Sequence, residues 1–217
     1  MSEARHRILQ RLRRVERPSG DEELTRSVDR HPWNRDEKIE RFSTRMSEVR
    51  AEVHLTTKDT WAADLTAILL NKGVRNMVYA PDKPDGSQLA TALNAAKIDS
   101  VPYAQSIEAW KSELFQQMDA GFTGCRGAIA ETGSLILWAD EAEPRLLSLV
   151  PPIHCVLLQA DQIHSTFAEA IEAQGWTQEG MPTNALLISG PSKSADIAQV
   201  LAYGVHGPKS LVVMVVQ

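Results

Sequence analysis

Two kinds of apolar pattern alternate along residues 36–217. In the first, apolar residues recur every three or four positions, as Ile39, Phe42, Met46 and Val49 do, which is typical of one face of a helix. In the second, short continuous apolar runs are bounded by turn formers, which is typical of buried strands. The predicted helices span 36–50, 59–71, 86–96, 106–118, 161–174 and 194–203, and the predicted strands span 51–56, 74–80, 99–104, 125–131, 134–139, 152–159, 185–189 and 211–216.

This alternation of helices and short apolar strands indicates an α/β fold in which helices cover both faces of a mainly parallel sheet. The runs 125–131 and 134–139 meet at Thr132-Gly133 and predict a hairpin. Because a hairpin is antiparallel, we predict a mixed sheet.

The first 35 residues differ in charge and pattern from the rest. Residues 1–17 carry six arginines against two glutamates, and Ile8, Leu9, Leu12 and Val15 form one face of a short amphipathic helix. We predict a basic helix and linker arm over 1–35 and an α/β domain over 36–217. Two interpretations of the arm stay open: it docks on an acidic partner or another subunit, or it lies over the chain's own acidic domain.

Composition excludes several classes of protein. With 43% hydrophobic and 24% charged residues in 217, the chain is typical of globular domains. The longest apolar run near the end of the sequence, 211–216, is far shorter than the roughly 20 residues of a membrane span. No apolar targeting segment follows Met1, which predicts a cytoplasmic protein. The net charge of −5 and the absence of a basic patch interleaved with aromatic residues argue against nucleic-acid binding.

The chain has two cysteines, Cys125 and Cys155, and they lie thirty residues apart without a CxxC motif. An iron–sulfur cluster takes four protein ligands, and no Cys/His set here has zinc spacing. We therefore expect no metal and no cofactor in this chain. Redox chemistry, if the protein takes part in it, requires a partner or a bound organic cofactor.

Ligands of such sheets bind where strands end and loops enter helices, and three loops have unusual compositions. The first, Leu187–Asp196, has Gly190 at a predicted turn, and Ser192 or Ser194 is placed to cap the predicted helix 194–203. Free N–H groups at that helix start, with Lys193 beside them, predict an anion site. The alternative is a well-capped helix without a ligand.

The second loop places Glu131 within the apolar hairpin Ile129–Leu135. Burial would raise the pKa of this carboxyl group and make it a candidate acid, base or nucleophile. The alternative role is to accept hydrogen bonds from a neighbouring loop.

The third loop, Tyr203–Lys209, holds His206 between glycines and a proline. His154, which enters the strand 152–159, is a candidate for the same mouth. A neutral histidine can donate to a substrate carbonyl or act as a base near pH 7. The alternative for each is a structural histidine.

Four motifs, AIAETGSLIL, SLVPPIHCVLL, ISGPSKSADI and GVHGPKSL, occur in this order and closely resemble the lactate utilisation protein C family (LutC-type, the LUD domain). The resemblance covers roughly residues 35–217. It implies a three-layer α/β/α fold of the kind found in CoA transferases, ribose-5-phosphate isomerases and glucosamine-6-phosphate deaminases. It also implies one part of a three-component system that oxidises L-lactate to pyruvate, in which iron–sulfur clusters lie in the A- and B-type partner proteins.

The resemblance also nominates site residues. The candidate catalytic residues are Glu131, His154 and His206. The candidate ligand-binding residues are Thr123, Thr132, Gly133, Ser134, Ser189, Gly190, Ser192, Asp196 and Gly207, and the composition of the first loop adds Lys193. Pro191 and Pro208 belong to the same motifs.

Three functional hypotheses follow. The first is a non-redox component of L-lactate oxidation that supports growth on lactate and binds a small carboxylate or a partner's surface at a mouth formed by Glu131, His154, Ser192 and His206. The second is a free-standing enzyme of the CoA transferase or sugar-phosphate isomerase kind, acting on a phosphorylated or acyl-CoA substrate through Glu131. The third is a purely structural or regulatory subunit.

Overall fold

The computed structural model describes residues 10, 31–180, 182–195 and 201–217. Its helices are α1 (Arg35–Glu48), α2 (Trp61–Asn71), α3 (Gly86–Ala95), α4 (Ile107–Gln117), α5 (Leu146–Leu149), α6 (Phe167–Ala173) and α7 (Trp176–Glu179). Its strands are β1 (Glu52–Thr56), β2 (Asn76–Tyr79), β3 (Asp99–Pro102), β4 (Ala120–Thr123), β5 (Gly127–Ile129), β6 (Ser134–Trp138), β7 (Ile153–Gln159), β8 (Ile163–His164), β9 (Ala185–Ile188), β10 (Lys193–Ala195), β11 (Leu201–Tyr203) and β12 (Ser210–Val216).

A parallel sheet of six of these strands forms the centre of the domain, in the order β1-β12-β7-β4-β2-β3. The apolar run at 211–216 becomes β12, whose Val213 lies between Val53 of β1 and Val156 of β7. Because other elements pack on both faces of the sheet, this central strand is buried on both sides, which is why its sequence is continuously apolar.

Helices cover both faces of this sheet. On one face, α2 and α3 pack Trp61, Leu65 and Leu93 against Met77 and Met214. On the other, α4 and α5 pack over β2, and α1 packs over β7 and β12. The predicted α/β fold with a mainly parallel, doubly covered sheet is confirmed.

The predicted hairpin is present as β5 and β6, but it belongs to a separate four-stranded sheet in the order β8-β5-β6-β9. This sheet lies on the same face as α1, where Ala128 and Leu135 pack with Val156 and Val213. The antiparallel pairing is therefore confined to this second sheet, and the central sheet stays parallel.

The helix predicted over 194–203 is wrong at both of its described ends. Lys193–Ala195 and Leu201–Tyr203 are antiparallel strands, with Ser194 opposite Ala202. The apolar spacing over 194–203 is compatible with a helix. In the structure, pairing between the two strands supplies hydrogen bonds to the backbone groups that a helix would otherwise satisfy. The helix predicted over 161–174 is shorter, Phe167–Ala173, because Ile163–His164 pairs with β5 instead.

The predicted basic arm lies, up to residue 30 and apart from Gln10, outside the described residues. The described chain enters α1 through a capping box. The Asn34 side chain accepts from the Glu37 N–H at 3.0 Å, and the Glu37 carboxylate accepts from the Asn34 N–H at 2.8 Å. Within the described ranges, no helix combines the length and apolar character needed to cross a membrane.

Glu169 of α6 is hydrogen-bonded both to α1 and to the segment just before α6. Its carboxylate accepts from Lys38 Nζ at 2.9 Å and from the Ser165 N–H at 2.8 Å. Burial alone would raise the pKa of this carboxyl group, but the hydrogen bonds from Ser165 and Lys38 outweigh it and lower the pKa to about 2.

We expect Glu169→Gln to lower the free energy of unfolding by about 1 kcal/mol at pH 7. Because the folded pKa is depressed, this stabilisation is complete above the unfolded pKa of about 4.5 and is lost as pH falls towards 2. Urea unfolding at pH 7 and pH 3.5 measures the effect. Asp161→Asn, which breaks the mostly exposed pair with Arg35, is the control and should cost less; equal costs would contradict the prediction.

Candidate functional site

The structure joins two of the predicted loops through a chain of hydroxyl groups. Thr132 Oγ1 lies 2.9 Å from Ser134 Oγ, which lies 2.6 Å from Ser189 Oγ. The loops meet because β6 and β9 are neighbours, with Leu135 opposite Ile188. The sequence motifs that contain these residues are therefore parts of one local structure.

The two glycines of these loops pack against the end of α1. Gly133 has φ +63, and a Cβ there would clash with Cβ of Arg45 and lie 3.3 Å from the Arg45 carbonyl carbon. Gly190 has φ +135, and a Cβ there would lie 2.7 Å from Cγ2 of Val49. Both positions need glycine for its backbone conformation and for close packing.

The third loop is joined to the first at the amino ends of β7 and β12. The Ser192 N–H donates to the Pro208 carbonyl at 2.8 Å, and the Lys209 N–H donates to the Pro152 carbonyl at 2.7 Å. Gly207 is in close contact with Ser192. This edge is opposite to the carboxyl ends, where we expected the loops to form a ligand site.

The predicted anion site at a helix start is not formed, because the described residues after Ser192 begin a strand. Lys193 lies exposed on that strand, opposite Tyr203. Asp196 lies outside the described residues.

His154 and Thr123 form a buried pair between β7 and β4. His154 Nε2 lies 2.9 Å from Thr123 Oγ1, and His154 is 1% exposed. Burial lowers the pKa of His154 to about 3, so the ring is neutral at pH 7. Its Nδ1 is buried and has no hydrogen-bond partner among the described residues.

Glu131 is exposed rather than buried, contrary to the prediction, because Glu131 and Thr132 lie on the outer side of the turn while Ala130 and Gly133 are buried. About half of its side chain is accessible, and Oε1 lies 3.7 Å from Nε2 of His31. His206 is also exposed. In the described part of the chain, no hydrogen bond or ion pair joins Glu131, His154 and His206, so the predicted mouth is not assembled by such contacts.

A crevice of about 450 Å³ lies instead at the carboxyl ends of β2 and β4. From β2 the chain continues outward to β3, whereas the sheet neighbour on the other side of β4 is β7. Such a switch in direction separates the loops that follow the two strands and leaves room for a ligand. The polar and aromatic residues that line it are Lys83, Asp85, Arg126, Trp138, Asp140 and Glu143.

The three carboxyl groups of the crevice differ in their environments. Asp140 accepts from Lys83 Nζ at 2.5 Å; burial would raise its pKa, but this bond and backbone N–H donors hold the pKa below its usual value. Glu143 accepts from the Gly124 N–H at 3.1 Å, yet burial raises its pKa. Burial also raises the pKa of Asp85. Asp85 and Glu143 are therefore the two carboxyl groups whose charge is least compensated.

The lining of the crevice also includes a cation packed on an aromatic ring. Arg126 Cζ lies 4.0 Å from the centre of the Trp138 ring. The indole Nε1 of Trp138 is buried and has no hydrogen-bond partner among the described residues.

Sequence reasoning missed this crevice because it did not predict β4, whose Ala-Gly-Phe-Thr sequence resembles a loop. The usable signal is the pair of polar segments that follow β2 and β4, at 81–86 and 124–127.

Comparison with known proteins identifies relatives, two of which match over most of this chain. An uncharacterised protein of Neisseria meningitidis serogroup B is 38% identical over 180 residues, which is 83% of this chain and 77% of that protein. Lactate utilization protein C of Deinococcus radiodurans is 46% identical over 101 residues, 45% of this chain and 46% of that one. Lactate utilization protein C of Macrococcus caseolyticus is 25% identical over 201 residues, 86% of each chain.

A solved structure has the same fold. The crystal structure of a DUF162 family protein from Deinococcus radiodurans superposes with a TM-score of 0.60 at 27% identity, covering 86% of this chain and 100% of that one. The family model described as the LUD domain matches residues 39–216. This chain therefore belongs to the LUD domain family.

Proposed function

We propose that this protein acts in L-lactate utilisation, as the component without a redox centre in a three-part cytoplasmic system that oxidises L-lactate to pyruvate. The observation that carries the proposal is the similarity over 86% of both chains to a protein named lactate utilization protein C. The match to the LUD domain over residues 39–216 supports the same assignment.

The cysteines support a role without an iron–sulfur cluster of its own. The chain has two, and a cluster normally needs four protein ligands. Burial raises the pKa of Cys125 to about 12 and also raises the pKa of Cys155, so both thiols stay protonated at neutral pH. The electrons from lactate would then pass to A- and B-type partners that carry the clusters.

Growth on L-lactate as sole carbon source tests the proposal. A strain that lacks this chain, and lacks any other lactate dehydrogenase, should fail to grow on L-lactate but grow normally on pyruvate. The wild-type gene should restore growth. Normal growth of the deletion strain on L-lactate would contradict the proposal.

The same strain tests the catalytic candidates. Glu131 and His206 are exposed, so Glu131→Gln and His206→Ala should fold like the wild type. If the loops hold an essential ligand, neither folded variant restores growth on L-lactate. Full rescue by both would assign a scaffold or regulatory role to these loops.

The alternative of a free-standing enzyme on a phosphorylated or acyl-CoA substrate has less support. It rested on a buried Glu131 and on an anion site at a helix start. Glu131 is exposed, and the described residues at 193–195 form a strand.

A further inference from the structure

The crevice at the carboxyl ends of β2 and β4 has the position and size of a small-molecule site. Its volume of about 450 Å³ lies within the range of roughly 300–1,000 Å³ that is usual for ligand pockets. Its walls come from the loops after β2, β4 and β6, each fixed by a strand of one of the two sheets.

The carboxyl groups that line the crevice favour a ligand that donates hydrogen bonds. Lys83 Nζ donates to Asp140 at 2.5 Å, so the charge of Lys83 mainly compensates that of Asp140 and not those of the other two carboxyl groups. Glu143 is held in place by the Gly124 N–H at 3.1 Å, and Asp85 lines the same space. Partly buried carboxyl groups with so little compensation are stabilised by hydroxyl groups that donate to them.

Two other lining residues, Arg126 and Trp138, carry N–H groups that favour a ligand with a hydrogen-bond acceptor. Arg126 presents a planar guanidinium with five N–H donors, so it can bind a carboxylate in addition to the partners it already has. Its Cζ lies 4.0 Å from the centre of the Trp138 ring, so the guanidinium is held against the indole. The indole N–H of Trp138 is a second donor, buried and without a hydrogen-bond partner in the described part of the chain.

We infer that the crevice binds a small hydroxycarboxylic acid, with its carboxylate accepting from Arg126 and its hydroxyl group donating to Glu143 or Asp85. A ligand with a carboxylate and a hydroxyl group complements both the N–H donors and the carboxyl groups of the crevice. A simple carboxylate complements only the donors, and a simple alcohol complements only the carboxyl groups. The choice of L-lactate as the first probe rests on the proposed function; the ligand class rests on the crevice alone.

Calorimetric titration of the purified full chain tests the inference, with L-lactate and D-glycerate as probes. Propionate lacks the hydroxyl group and 1,2-propanediol lacks the carboxylate, so each should bind about tenfold or more weakly than the better hydroxy acid. Failure of both hydroxy acids to bind, or equal binding of propionate, would overturn the inference.

Variants locate the binding in the crevice. Arg126→Gln removes the cation and should weaken binding about tenfold or more. Glu143→Gln and Asp85→Asn keep the shape of the side chain, and at least one of them should weaken binding by the same factor. Arg75→Gln, which removes an exposed ion pair with Asp119 away from the crevice, is the control and should bind as the wild type does. Circular dichroism confirms that each variant is folded. Binding that persists unchanged in all three crevice variants would overturn the assignment.

The outcomes also separate the two proposals. If deletion abolishes growth on L-lactate but the chain binds neither hydroxy acid, the ligand inference fails and the proposed function stands. If a hydroxy acid binds in the crevice but the deletion strain grows normally on L-lactate, the proposed function fails and the ligand inference stands.

Discussion

Gly133→Ala is expected to lower the free energy of unfolding by about 3 kcal/mol or more. Two costs add at this position. The backbone has φ +63, a left-handed conformation that disfavours a side chain by about 1 kcal/mol. The new Cβ would also meet Cβ of Arg45 and the α1 backbone at 3.3–3.4 Å, so either the hairpin turn or the helix must move.

Gly73→Ala is a matched control for this prediction. Gly73 follows α2 with φ +70, and a Cβ there would meet nothing within 4 Å. Gly73→Ala has the unfavourable backbone conformation but no clash, so we expect it to lower the free energy of unfolding by about 1 kcal/mol. Urea unfolding of both variants gives the difference. Equal losses would show that the contact with α1 is not what requires glycine at 133.

This comparison bears on how the family motifs are interpreted. Gly133 and Gly190 belong to motifs that suggested ligand binding, yet the atoms nearest a Cβ at either position belong to Arg45 and Val49. A glycine in a motif can mark close packing as readily as close approach of a ligand. The hydroxyl chain Thr132–Ser134–Ser189 lies beside the same contact.

The sequence predicts most elements of the fold because their patterns are local. The apolar run at 211–216 predicts a doubly buried strand, and the spacing from Ile39 to Met46 matches the buried stripe of α1. β4 escaped prediction because Gly121 resembles a turn residue. In the structure Gly121 lies in β4, and the position requires glycine because a Cβ there would clash with the carbonyl oxygen of Leu147.

The site was harder to predict because it depends on tertiary neighbours. The motif residues identify loops that contact one another, as Ser134 and Ser189 do. The sequence does not reveal which edge of the sheet those loops occupy, nor that Glu131 lies on the outside of its turn. Residues of the crevice such as Asp85 and Glu143 lie 58 positions apart and acquire their raised pKa only through burial in the folded domain.

Acidification from pH 7 to pH 5 is expected to destabilise the protein through His154, by about 2 kcal/mol. Burial lowers the pKa of this histidine to about 3 in the folded state, whereas an unfolded histidine titrates near 6.5. Between these values the unfolded chain takes up a proton that the folded chain does not. The stabilisation is therefore complete above about pH 6.5 and is lost progressively as pH falls towards 3.

His154→Gln removes this titration and can keep a hydrogen bond to Thr123, so its stability should fall less between pH 7 and pH 5 than that of the wild type. Asp85 and Glu143 act in the opposite direction, since a raised carboxyl pKa favours the folded state at lower pH. They are present in both proteins, as is His164, so the difference between the two urea-unfolding series isolates His154. The exposed His206→Gln variant should follow the wild type. Parallel pH dependence in His154→Gln and the wild type would contradict the assignment of His154 as a buried, neutral partner of Thr123.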